Sequence, residues 1–222
     1  MIQTGDLIDS LANDMRPVKR LRPPLLRACG WLIGAGAVVA LLAVNQGIRP
    51  DLAQRLHDAP FVTSLVGSIL TGVLAAIAAF LVSLPDRSRW WMLLPMPALA
   101  LWLSNIGYQC LTDWVAVGPD GMSPGEAARC FTTLAVTSLP LSLALLVMLR
   151  YAARLRPTIV ALTGGLAVSA ITSTALALFH TIDASVMILM WNVGTAVLLI
   201  GAGGLFGRRM FGWVAPRVFA QD

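Results

Sequence analysis

Six apolar runs occupy 27–46, 61–84, 90–110, 130–149, 158–179 and 185–206 of this 222-residue chain. Each is roughly 20 residues long, enough to carry a helix across the ~30 Å hydrocarbon layer of a bilayer. A chain in lipid has to satisfy every backbone N–H and C=O within itself, and a helix does so. The expected fold is therefore all-α, an integral membrane bundle of six transmembrane helices. Composition agrees: a mean hydropathy of +0.77 with 57% hydrophobic and only 12% charged residues lies outside the range of soluble domains. Pro85, Pro157 and the Gly-Pro-Asp-Gly run at 118–121 punctuate the gaps. Pro95, Pro97 and Pro140 fall inside runs, where they are expected as tolerated kinks. The first run follows a leader containing Asp6, Asp9 and Asp14, and five more runs come after it, a pattern unlike a cleaved signal peptide.

The basic residues orient these spans. Arg16, Lys19, Arg20, Arg22 and Arg27 precede or open the first run; Arg87 and Arg89 lie between the second and third. Arg150, Arg154 and Arg156 lie between the fourth and fifth, and Arg208, Arg209 and Arg217 follow the sixth. In a six-span chain these thirteen share one side, leaving Arg49, Arg55 and Arg129 on the other. The positive-inside bias then places both termini of this multi-pass chain in the cytoplasm. The net charge of +5 belongs to this topology, so no direct nucleic-acid binding is expected.

Small residues recur every four positions: Gly30 and Gly34; Ser64, Ser68 and Gly72; Gly165, Ser169 and Ser173. They are expected to let helix backbones approach closely. No charged residue lies deep in a run, which argues against an ion or proton path. Asn105, Gln109 and Asn192 suit interhelical hydrogen bonds.

On the outer side, Cys110 closes the third run and Cys130 opens the fourth, with Asp113 and Glu126 between them. His57 lies in the first outer loop; His180 and Asp183 follow the fifth run. The two cysteines admit a permanent structural disulfide, a responsive thiol pair, or no pairing at all. Cys110, Cys130 and His180 are also of the types that ligate a soft or borderline metal ion. Cys29, inside an apolar run, is expected to pack. Trp31, Trp90, Trp91, Trp114 and Trp213 are expected as interfacial anchors.

On the inner side, Thr4 is placed to cap a short helix in which Leu7, Ile8, Leu11 and Met15 form an apolar stripe flanked by Asp6, Asp9 and Asp14. An acidic amphipathic segment fits a basic protein groove better than an anionic lipid surface. A short solvated helix with no partner is the plainer alternative. Residues 17–24, PVKRLRPP, form a basic, proline-rich tether suited to lying against headgroups. Three regions follow: a cytoplasmic segment and tether at 1–26, the membrane domain at 27–207 and a cytoplasmic tail at 208–222.

In this order, several stretches resemble the NrsF-like negative regulators of extracytoplasmic-function (ECF) sigma factors. They are DLIDSLAN at 6–13, the tether at 17–24, GIRPDL at 47–52, CLTDW at 110–114, Arg129-Cys130, RLRP at 154–157 and His180. The resemblance implies an anti-sigma factor in a bacterial inner membrane, with an ECF sigma factor as partner and no cofactor. Asp6, Leu7, Ile8, Asp9, Leu11 and Met15 would hold the sigma factor. Cys110, Cys130, His180 and Asp183 would receive a redox or metal signal, a heavy-metal ion being a transient ligand. Where the family pattern places a cysteine after the fifth span, this chain has His180-Thr-Ile-Asp183. That leaves pairing of Cys110 with Cys130, or metal capture aided by His180 and Asp183. A small metal-ion permease is the alternative function. An enzyme is not expected, since neither a Cys-x-x-Cys motif nor a clustered acid–base set is present.

Overall fold

Pro24 opens the first helix, where its missing N–H falls among donors that have no intrahelical partner anyway. This helix, α1, runs Pro24–Gln46 and stops at Gly47, whose φ of +76° is a conformation that residues with a Cβ rarely adopt. The computed structural model describes residues 22–113, 124–149 and 156–179, plus positions 5, 194, 197, 198, 201, 202 and 205. For 106–113 and 124–131 it describes the backbone alone. After α1 come a one-turn α2 (Leu52–Arg55), α3 (Ala59–Val82), a 3-10 turn (Arg89–Leu93), α4 (Met96–Asp113), α5 (Pro124–Leu149) and α6 (Pro157–Phe179). No strand occurs among the described residues. Four helical stretches are long and apolar enough to cross a membrane: α1, α3, Thr132–Leu149 of α5, and α6. The sixth apolar run lies almost wholly outside the described residues.

The core is built on α3 and α6, which pack along each other. Ala75, Ala76 and Ala79 of α3 and Ala167, Val168 and Ala170 of α6 are fully or almost fully buried. Such small side chains let the two backbones approach where lipid offers no hydrophobic drive between helices. A Cβ placed on Gly72 would lie 2.8 Å from Ile171 Cδ1, and one on Gly164 only 2.6 Å from Leu145 Cδ2. Around this pair, α4 packs on α3, α5 packs on α6 and α1, and α1 packs on α3 and α5. Most described hydroxyls within the spans turn back to their own helix, Thr172 Oγ1 being buried without a partner. Thr71 donates to Gly67 O, Thr137 to Thr133 O, Ser169 to Leu166 O and Ser173 to Ser169 O, at 2.6–3.0 Å. This satisfies them in an apolar interior without opening a polar path.

Several expectations change. The third run does not form one helix from 90 to 110. Pro95 has no N–H to donate and the run divides there into the 3-10 turn and α4, while Pro97 sits in the first turn of α4, where its missing N–H is not needed. Pro140, by contrast, sits inside a continuous α5. Ser68, Ser169, Ser173 and Gly72 pack as expected, but Gly30 and Gly34 are exposed and have nothing within 4 Å of where a Cβ would lie. Cys29, on the same outward side of α1, is exposed rather than packed. Trp31 is not an interfacial anchor: it is 2% exposed, within the core. Trp90 and Trp91, exposed in the 3-10 turn, do sit where an interfacial belt would.

Candidate functional site

Alternating helix directions bring the start of α1, the ends of α3 and α5 and the starts of α4 and α6 to one end of the bundle. Arg22, Arg27, Arg87, Arg89 and Arg156 all belong to this end. Arg156 Nη1 donates to Arg87 O at 2.9 Å, tying the segment before α6 to the α3–α4 connection. Asp86, 3.8 Å from Arg87, is the one acidic residue here among those described.

Arg27 enters the bundle in the first turn of α1. Its guanidinium lies 5.1 Å from the centroid of Phe80 near the end of α3, and Nη2 donates to Met148 O in the last turn of α5. The last four carbonyls of a helix have no intrahelical donor, so this carbonyl is available. Nη1 is buried and has no hydrogen-bond partner. One turn further along α1, Trp31 Nε1 donates to Leu141 O at 3.1 Å. Ala28, Trp31 and Ala35 pack with Leu141, Leu145 and Leu149 in one apolar cluster.

The opposite end is organised by the loop between α1 and α2. Arg49 is buried, its guanidinium 5.7 Å from the Phe61 ring centroid, and it grips Asp51 through two bonds. Nε donates to Oδ1 at 2.8 Å and Nη2 to Oδ2 at 2.7 Å. Arg55 lies 3.6 Å from Asp51 and 3.3 Å from Asp58. The two arginines and two aspartates of this knot cancel in charge. The Arg49 hydrogen bond, helped by backbone bonding and by the charges of Arg49 and Arg55, holds the Asp51 carboxyl down at about 2 against an ordinary 3.8. His57 is committed locally, Nδ1–H donating to Ala53 O at 2.9 Å.

This loop joins two helix ends. Arg49 N donates to Leu178 O at 3.1 Å, next to the last residue of α6. Thr133 Oγ1, in α5, donates to Gln46 Oε1 at 3.0 Å, at the end of α1. Gln46 thus meets α5 one turn after Cys130, and the loop after it meets α6 two residues before His180. Asn105 Nδ2 donates to Pro60 O at 2.8 Å, the interhelical role expected of it.

Of the sequence-expected site residues, Asp6, Leu7, Ile8, Asp9, Leu11 and Met15 lie outside the described residues, as do His180 and Asp183. Cys110 falls near the end of α4 and Cys130 near the start of α5, with the side chains of both outside the described set. Their helices flank the core differently: α4 lies on α3, whereas α5 lies on α6 and α1. Among the described residues, no three His, Cys, Asp or Glu groups converge as a metal site. Sequence reasoning missed Arg27, Trp31 and the Gln46–Thr133 pair. The i, i+4 spacing of Arg27 and Trp31, which puts both on one face of α1, was the available signal.

Compared with protein families, residues 11–213 match NrsF, negative regulator of sigma F. No curated protein and no solved structure matches the chain.

Proposed function

The chain belongs to the NrsF family of negative regulators of sigma F, and on that footing we propose that it is a membrane-bound anti-sigma factor for an ECF sigma factor. The family match over nearly the whole chain is the observation that carries this reading. The cytoplasmic segment at 1–26 holds the sigma factor through Leu7, Ile8, Leu11 and Met15, with Asp6 and Asp9 supplying charge complementary to a basic DNA-binding surface. Both termini lie in the cytoplasm. The arginine-rich end of the bundle supports this orientation, as does the charge-neutral Arg49–Asp51–Arg55–Asp58 knot at the other end.

A redox or metal signal reaches the outer end at Cys110, Cys130, His180 and Asp183 and shifts the population toward a state that holds the sigma factor poorly. Gln46 at the end of α1, bonded to α5 beyond Cys130, and Arg49 in the loop that follows, bonded to α6 before His180, support a shared receiving surface there. Hydroxyls spent on own-helix carbonyls favour a regulator over a permease. Deleting residues 1–13 is expected to abolish co-purification of the sigma factor while the membrane domain still extracts as a folded, monodisperse species. Unchanged capture by that truncation sinks the proposal. Replacing both Cys110 and Cys130 with serine is expected to leave capture intact and to block its release by hydrogen peroxide or Zn²⁺. Release equal to wild type removes the cysteines from the signal path.

A further inference from the structure

We infer that Arg27 and Trp31 are positioning residues which, through the seam between α1 and α5, hold the N-terminal segment in its sigma-capturing arrangement. This rests on the anti-sigma reading above. Three observations carry it.

First, α1 follows the N-terminal tether directly, through Pro23 and Pro24, and is the helix that joins residues 1–21 to the bundle. Second, α1 and α5 are bonded at three heights. Gln46 meets Thr133 at the outer end, Trp31 meets Leu141 O in mid-membrane and Arg27 meets Met148 O at the inner end. Within the hydrocarbon layer a lost hydrogen bond finds no water to replace it, so the mid-membrane tie from Trp31 is either made or broken. A seam of such ties has discrete settings, as a helix shear of one or two ångströms requires. The outermost tie lies three residues after Cys130, so a change there acts first on α5.

Third, Arg27 is 8% exposed, and its buried Nη1 has no partner while Nη2 has one. An unsatisfied buried donor penalises the present setting. A displaced α5 that offers a second carbonyl would regain that bond, which gives the seam an alternative close in free energy. The α3–α6 pair also buries an orphan, Thr172 Oγ1 of α6, but one of the Ser68 and Thr174 hydroxyls donates across to the other at 2.9 Å while the other donates to its own helix. Close packing of fully buried Ala75, Ala76, Ala79, Ala167 and Ala170, with Gly72 against Ile171, makes the core pair the frame and α1–α5 the seam that moves.

The test uses the full chain in lipid nanodiscs and the sigma factor that co-purifies with it. Trp31→Phe keeps the ring and removes the indole N–H; Arg27→Leu removes the charge; Arg27→Lys keeps a donor. The expected result is resting affinity for the sigma factor weakened at least fivefold by Trp31→Phe and Arg27→Leu, with partial rescue in Arg27→Lys. Ser68→Ala removes a cross-helix bond of the frame and is expected to lower the melting temperature without changing affinity. Gln46→Ala, at an exposed residue, probes the outer tie should Arg27→Leu fail to fold, and is expected to weaken capture at least twofold.

Wild-type affinity in folded Trp31→Phe and Gln46→Ala overturns the inference, and so does a loss in Ser68→Ala equal to theirs. The underlying reading fails separately: in that case the 1–13 deletion captures the sigma factor as well as wild type does.

Discussion

Gly67 and Gly34 have the same side chain and opposite surroundings. A Cβ on Gly67 would sit 3.0 Å from Trp102 Cβ and 3.2 Å from Trp102 Cα. The obstacle is backbone and the root of a side chain, which cannot swing aside. Gly67→Ala is expected to destabilise the bundle by about 1–3 kcal/mol through overpacking. Gly34→Ala meets nothing and is expected to be neutral or to stabilise by up to about 1 kcal/mol, the usual gain over glycine in a helix. Denaturant unfolding in a fixed detergent distinguishes the two. Asp51 offers a second residue-scale prediction. Its carboxyl titrates lower in the folded protein than in the unfolded chain, so its contribution is present above about pH 4 and is lost as pH falls toward 2. Asp51→Asn is expected to lower the melting temperature between pH 5 and 8, and the gap from wild type is expected to close below pH 4. A gap that stays constant down to pH 2.5 contradicts this.

Helices were legible in the sequence where hydrophobic length decided them, and less so where local chemistry did. α1, α3 and α6 begin at or next to a proline and run close to the expected spans, because unbroken apolar length leaves no other conformation that pairs its backbone. Inside the third run, the same length argument failed at Pro95, where the run divides, yet Pro97 sits in the first turn of α4 and Pro140 leaves α5 continuous. Proline at the head of a helix lacks only an unneeded donor, while an interior proline persists where neighbours hold the helix in place. Small-residue spacing was equally ambiguous. Ser68, Gly72, Ser169 and Ser173 lie in the α3–α6 contact, but Gly30 and Gly34 repeat the spacing on an open face. Spacing defines a stripe on a helix; which helix faces it depends on the other helices. Trp31 illustrates the same point, an aromatic near a span end that turned inward because Leu141 O lay within reach of its N–H.

Across the whole molecule, charge divides the two ends more sharply than the count of bases suggests. Among residues whose side chains are described, the outer-end arginines Arg49 and Arg55 are matched by Asp51 and Asp58, whereas five arginines of the other end have only Asp86 for company. The topology this supports is tested by reporter fusions. Alkaline phosphatase is expected to be inactive at either terminus and active when inserted after Asp113, with green fluorescent protein giving the reverse pattern. Opposite behaviour at the two termini would mean an odd number of crossings.

Length, apolar runs and the order of the bases are properties of the chain alone. They were enough for a helical membrane fold and its expected orientation, and the family-like stretches were enough for a regulatory role. Two cysteines with a histidine could be read as chemistry but not as a geometry. The tertiary structure decided which helices touch. It made α3 and α6 the frame, set α1 against α5, and turned Arg27 and Trp31, each unremarkable in sequence, into ties across one seam. The reason is physical: burial and backbone pairing act along a single helix and can be read from its residues, whereas a donor near the start of α1 finds its acceptor more than a hundred residues away, once both helices stand side by side.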